Sequence, residues 1–165
     1  MTQAVERFAK AQVVIHWLTL LLLIGSFVSH DAMKAAWRFV QRNPGAEFSP
    51  ELGVRVHTIL GVTILVLTLV RLVLRFTKGA PAPVAGQHPV ITIASASVHG
   101  LLYLMLLAIP LTGMAAWVGG FTEMGDVHEV LFTVGLALVI AHIAAALFHQ
   151  FVIKDNLLAR MRLRG

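Results

Sequence analysis

The stretch that decides the fold runs from Asp126 to Lys154, DVHEVLFTVGLALVIAHIAAALFHQFVIK. Between Val127 and Ile153 it holds one carboxylate, Glu129, and no Lys or Arg. A helix crosses the hydrocarbon of a bilayer with roughly 20 such residues. Yet the stretch contains His128, His142 and His149, which with Gly135 fall at a strict spacing of seven. Seven residues turn an α-helix by about 700°, so the four positions form one slowly drifting stripe. Imidazoles are costly in lipid and face a bundle interior where they have a task. His128 and His142 are separated by about 21 Å of helical rise, which predicts two sites stacked along one helix. Glycine between them leaves room for a bulky group against the backbone.

Working outward, three more apolar segments precede this one, at Ala11–Ser29, Val54–Phe76 and Ile93–Val118. The fourth is Val127–Ile153. With a mean hydropathy of +0.81 and 13% charged residues, the composition excludes an ordinary soluble domain. The expected fold is an all-α integral membrane protein, a bundle of four transmembrane helices forming one domain over residues 1–165. The first segment follows Arg7 and Lys10 but is long for a signal peptide and contains His16, so it is expected to be a retained helix. The 165 residues include no cysteine. Thiolate metal sites, iron–sulfur clusters and covalent c-type haem are thereby excluded.

Lys and Arg set the orientation. With both termini on one side, that side carries Arg7, Lys10, Arg71, Arg75, Lys78, Lys154, Arg160, Arg162 and Arg164. The other carries Lys34, Arg38, Arg42 and Arg55, and nine against four predicts cytoplasmic termini. In the first outer loop, Met33, Trp37 and Val40 fall on one helical face and Lys34, Arg38 and Gln41 on another. That pattern predicts an interfacial amphipathic helix, ended by Asn43-Pro44-Gly45. The inner loop KGAPAPVAGQHP reads as a stiff link, and the terminal RMRLRG as a basic anchor to anionic lipid.

Depth sorts the histidines. His57 opens the second segment and His128 the fourth, both on the outer side. His16 lies near the inner end of the first segment, level with His142, although depth alone leaves His149 open as its partner. Two facing neutral imidazoles suit a six-coordinate haem iron, whereas a zinc site needs three or four ligands together. Gly61, one turn after His57, and Gly135 would flank a macrocycle. Arg71, fourteen residues beyond His57, is expected to meet the propionates of an inner haem. His99 and His149, expected at the inner end, are candidates for a quinone pocket, where an imidazole exchanges protons. His30 and His88 read as loop residues without a specific task, and Tyr103 as an interfacial anchor. Pro110 and Gly113 read as a kink or as a groove for a macrocycle edge.

The stretches VVIHWLTLLLL, VHTILGVTILVLTLVRLVLR and VHGLLYLMLLAIPLTG, followed by VHEVL and AHIAAALFHQFVIKDNLLARM, resemble the prokaryotic cytochrome b561 family. The resemblance covers most of the chain. It implies a four-helix, di-haem b-type cytochrome of the bacterial inner membrane. His16 and His142 would ligate the cytoplasmic haem iron, and His57 and His128 the periplasmic one. This selects His142 over His149, and puts His99 and His149 near the quinone end. The implied activity is electron transfer between the periplasmic face and the quinone pool, in some members oxidation of superoxide with reduction of ubiquinone. The implied partners are the lipid bilayer, quinone, and superoxide or a periplasmic redox protein, with no nucleic acid. Electron flow from quinol to a periplasmic redox protein is the alternative, and a haem-free membrane anchor or transporter bundle is the alternative of another class. The loop from Trp117 to Asp126 is shorter than in the members the chain most resembles.

Overall fold

The computed structural model describes residues 7–83 and 86–163. Its helices are α1 (Lys10–Val28), α2 (His30–Arg42), α3 (Leu52–Lys78), α4 (Pro89–Trp117) and α5 (Glu123–Phe148). A π-helical turn (His149–Ile153) continues α5, and a 3-10 helix (Leu157–Met161) follows. The four long helices, α1, α3, α4 and α5 with its π turn, have mean hydropathies of 1.9 to 2.5. Only 6–11% of each spanning window is buried inside the protein, so most of the apolar surface faces outward, as a bilayer demands. The chain is an all-α membrane protein with four spanning helices.

Neighbouring helices pack α1 on α3, α3 on α4 and α4 on α5, while α2 crosses to α3. Across the bundle, α1 and α5 meet through side chains, with Phe27 stacked on Phe132 at 6.3 Å. Buried hydroxyls are satisfied inside their own helices. Thr19 donates to Ile15 O and Thr68 to Ile64 O, both at 2.7 Å, so neither brings an unpaired polar group into the interior.

The helices begin earlier than hydropathy indicates. Pro89 is tolerated in the first turn of α4 because its missing N–H would be unpaired there. His88 caps the same turn, accepting from Val90 N at 3.3 Å, so it is a helix cap rather than a loop residue. The start at Pro89 instead of Ile93 sets His99 nearly three turns inside α4.

α2 follows α1 after the single residue Ser29. His30 therefore heads a helix and does not lie in a loop. Met33 and Trp37 turn towards a cleft at this end of the bundle, so the apolar face of α2 serves the protein interior as well as the interface. Asn43 closes the helix by donating from its side chain to Phe39 O, and Gly45 takes the left-handed turn with φ of 82°.

At the opposite end, which carries both termini, Gln12 Nε2 donates to Gly79 O at 3.0 Å beside the C-terminus of α3. Trp17 Nε1 donates to Met161 O at 3.0 Å, and Arg160 Nη1 to Ala82 O at 2.6 Å. Arg160 and Met161 of the segment predicted as a basic anchor to lipid thus bond back onto the bundle, next to the buried Ala159. Arg164 of that tail, and Val84 and Ala85 of the predicted stiff link, lie outside the described residues.

Candidate functional site: two stacked histidine pairs

Each of four histidines meets its partner across the bundle. Near the terminal end, His16 of α1 and His142 of α5 have ring centres 6.3 Å apart. At the distal end, His57 of α3 and His128 of α5 are 6.5 Å apart. An imidazole nitrogen binds a metal at about 2 Å, so two rings facing each other across one ion have centres about 6 Å apart. Both pairs match that spacing. Among the described residues no three His, Cys, Asp or Glu groups converge on one point. The pairs therefore suit a metal whose other ligands come from a macrocycle rather than from the protein.

The distal pair is oriented by oxygen atoms of the main chain. His128 Nδ1 donates to Ile109 O at 2.7 Å, and His57 Nδ1 donates to Ser26 O at 3.1 Å, with the Ser29 hydroxyl 3.2 Å away. A carbonyl can only accept, so each Nδ1 carries the hydrogen and each Nε2 keeps its lone pair. The pair opens into a cleft, partly open to the surroundings, with Gly61, Gly113, Trp37 and Trp117 on its walls. A side chain at Gly61 would meet open space, whereas a Cβ at Gly113 would lie 3.0 Å from the His128 ring. At the mouth, Lys34 of α2 forms an ion pair with Glu129 of α5. His30 stacks on Phe132 at 4.8 Å and lies 6.3 Å from His57.

The terminal pair is arranged differently. Arg71 of α3 places Nη2 3.2 Å from His16 Nδ1, and its guanidinium lies 5.3 Å from the centre of the Tyr103 ring. Tyr103 is therefore a cation–π partner for a half-buried charge rather than only an interfacial anchor. His99 stands 5.1 Å from His142, beside the pair instead of at the membrane surface. His149, one heptad below His142, donates Nδ1 to Asp155 Oδ2 at 2.6 Å, and Asp155 Oδ1 accepts from Leu157 N. Lys154 and Asn156, on either side of Asp155, both have positive φ, and the preceding π turn widens the helix.

Gly135 does not face open space. The position its side chain would take lies 2.8 Å from Ile109 Cδ1 and 3.6 Å from Met105 Cβ, so it lets α4 approach α5. Gly135→Ala should be nearly neutral, since the end of the Ile109 side chain can turn aside. Gly135→Leu should cost about 1–3 kcal/mol through overpacking. Thermal unfolding in detergent would read the difference as a lower Tm for the leucine variant only.

Sequence reasoning passed over Ile109, Ser26, Ser29 and Asp155. The first two act through main-chain oxygens, which no residue type announces. Asp155, a carboxylate six residues after a membrane-edge histidine, was a visible signal.

A membrane bundle that stacks two imidazole pairs along one helix has the architecture of a b-type cytochrome. Residues 7–163 match the model of the prokaryotic cytochrome b561 family, and the chain belongs to that family. It is similar to cytochrome b562 of Cereibacter sphaeroides, 35% identical over 156 residues that cover 93% of this chain and 94% of the relative. It is 30% identical over 177 residues to cytochrome b561 homolog 1 of Escherichia coli K12, covering 94% and 97%. With the Yersinia pestis protein named "Probable superoxide oxidase CybB" it shares 26% identity over 178 residues, covering 94% and 96%. The family makes it a multi-pass electron-transfer protein of the bacterial inner membrane and implies haem b.

Proposed function

We propose that the four paired histidines hold two b-type haems and that the chain carries electrons across the membrane between its periplasmic face and the quinone pool. His57 and His128 would ligate the periplasmic haem, and His16 and His142 the cytoplasmic one. The observation that carries this reading is the equal spacing of the two pairs, 6.5 and 6.3 Å between ring centres. The excess of Lys and Arg at the terminal end supports cytoplasmic termini.

When bound, haem supplies reversible one-electron chemistry at a potential tuned by ligands and burial. The protein residues do the rest. His57 and His128 present their Nε2 lone pairs because Ser26 O and Ile109 O hold their Nδ1 hydrogens. At the terminal level a guanidinium can only donate, so ligation through His16 Nε2 requires Arg71 to bond another acceptor. A propionate carboxylate is the natural one, with Tyr103 steadying the cation. Gly61 leaves the cleft wall bare where a macrocycle would lie. His149 and Asp155 form a hydrogen-bonded couple near the terminal end that can pass a proton to a reduced quinone.

The substrate reading favoured here is oxidation of superoxide at the distal cleft with reduction of ubiquinone at the terminal end. It draws support from the named relative, which is similar over nearly its full length. One observation favours the reverse flow, from quinol to a periplasmic redox protein. The cation nearest the cleft mouth, Lys34, is already paired with Glu129 and attracts a small anion less strongly. Stopped-flow mixing separates the two. Under the first reading superoxide should reduce the oxidised haems within milliseconds. Haems that stay oxidised with superoxide but are reduced promptly by quinol would replace it with the second.

A further inference from the structure

Of the four spanning helices, α4 alone supplies none of the paired histidines. It nevertheless controls one of them. His128 Nδ1 donates to the carbonyl of Ile109 at 2.7 Å, a shorter bond than the 3.1 Å one from His57 to Ser26 O. A carbonyl in mid-helix is normally flanked by the side chain one turn later. Here that residue is Gly113, and the flank is bare. A Cβ at 113 would stand 3.0 Å from both Cε1 and Nδ1 of His128, tighter than an ordinary contact. The same carbonyl has a competitor. Thr112 shares its hydroxyl hydrogen between Ala108 O at 2.8 Å and Ile109 O at 2.9 Å. Pro110, directly after Ile109, is buried in the same turn. One backbone oxygen thus receives the imidazole, with a glycine that lets the ring in and a threonine that draws on the same lone pairs.

We propose that the Ile109 carbonyl, uncovered by Gly113 and shared with Thr112, is the positioning group that sets the tautomer and donor strength of His128, and through them the potential of the distal redox centre. This rests on the reading that His128 ligates the distal haem. An Nδ1–H bonded to a carbonyl pushes electron density to Nε2 and makes the imidazole a better donor. A better donor stabilises the oxidised, more positive iron and lowers the potential. Strengthening the bond therefore moves the distal potential down, and weakening it moves the potential up.

The test is a spectroscopic redox titration of the purified haem-loaded protein and its variants. Thr112→Val removes the competing hydroxyl while nearly keeping its shape, so the distal component should shift to more negative potential. Gly113→Ala pushes the ring off the carbonyl, so the distal component should shift to more positive potential. The terminal component should stay in place in both. The distal component is identified as the one missing from His57→Ala. Unchanged distal potentials, shifts of one sign in both variants, or equal movement of both components would overturn the proposal. If Gly113→Ala does not fold, the Thr112→Val shift decides alone. A His128→Ala protein that also carries His30→Ala separates the two levels of argument, because the His30 ring lies 6.3 Å from His57 and could take the place of His128. Retention of both components there would remove the ligand reading and this inference with it. Loss of the distal component, with unmoved potentials in the Thr112 and Gly113 variants, would overturn the positioning role alone.

Discussion

His57→Ala and His142→Ala should each purify with about half the haem of the unchanged protein, and each should lack a different component in a redox titration. The expectation follows from geometry. A six-coordinate iron held by two imidazoles and a macrocycle loses a protein ligand when one imidazole goes. Removing His57 takes away the ring that both His128 and His30 neighbour, at 6.5 and 6.3 Å between centres. Removing His142 leaves His16 beside Arg71, a group that cannot bind a metal, with His99, 5.1 Å from His142, as a neighbouring imidazole. The two levels are separated by about 21 Å along α5, so loss at one should leave the other spectroscopically intact. Haem-to-protein ratios by pyridine haemochrome give the stoichiometry, and potentiometry gives the component lost. The di-haem reading falls if both variants keep full haem, or if both lose the same component.

The stacking of two pairs was legible because it depends on one dimension. Depth in a spanning helix is residue count multiplied by rise, and His16, His57, His128 and His142 can be ranked from the positions of the apolar segments. Hydropathy mislocates helix ends for a physical reason. The first turns of α4 hold Ser95, Ser97 and Thr92, which lower the hydropathy, yet helix geometry needs only a cap and a tolerated proline, which His88 and Pro89 provide. The error moved His99 from beside His142 to the membrane edge. Rotation about the axis was harder to read than depth. Gly135 shares the heptad stripe with the histidines, but the Ile109 side chain of α4 lies over it. The acceptors of the distal ring hydrogens were not legible. Main-chain oxygens at Ser26 and Ile109 are common to every residue, and only the bare flank at Gly113 hints at which one is reached. The fold of the C-terminal segment was hidden by its charge. Three arginines in a short tail suggest a lipid surface, but Arg160 bonds the Ala82 carbonyl and Met161 receives Trp17.

Asp155→Asn should slow reoxidation of the reduced haems by a ubiquinone analogue on the order of 10²-fold, at unchanged haem content and unchanged potentials. Reduction of a quinone to quinol consumes two protons, and a group that delivers them must sit where a proton from the aqueous side can arrive. His149 lies at the terminal end of α5, where the π turn ends the spanning segment. Its Nδ1–H is held by Asp155 Oδ2, and Asp155 is itself anchored through Oδ1 to Leu157 N. A carboxylate stabilises the imidazolium that exists between proton uptake and delivery, as it does in other acid–base pairs. Asparagine keeps an oxygen for the His149 hydrogen bond but carries no charge, so the ring stays oriented while the charged state loses its support. The substitution therefore tests proton delivery rather than packing. His149→Leu removes the imidazole itself and should slow reoxidation at least as much. Reduction from the distal side should be normal in both variants, because the distal cleft, lined by His57 and His128, lies at the other end of the bundle. Reoxidation at the unchanged rate in both variants would mean that quinone takes its protons elsewhere. A matching loss in reduction and reoxidation would instead point to damage of the whole bundle. The geometry argues for the first outcome, a defect confined to the quinone half-reaction, because the His149–Asp155 couple shares no hydrogen bond with either histidine pair.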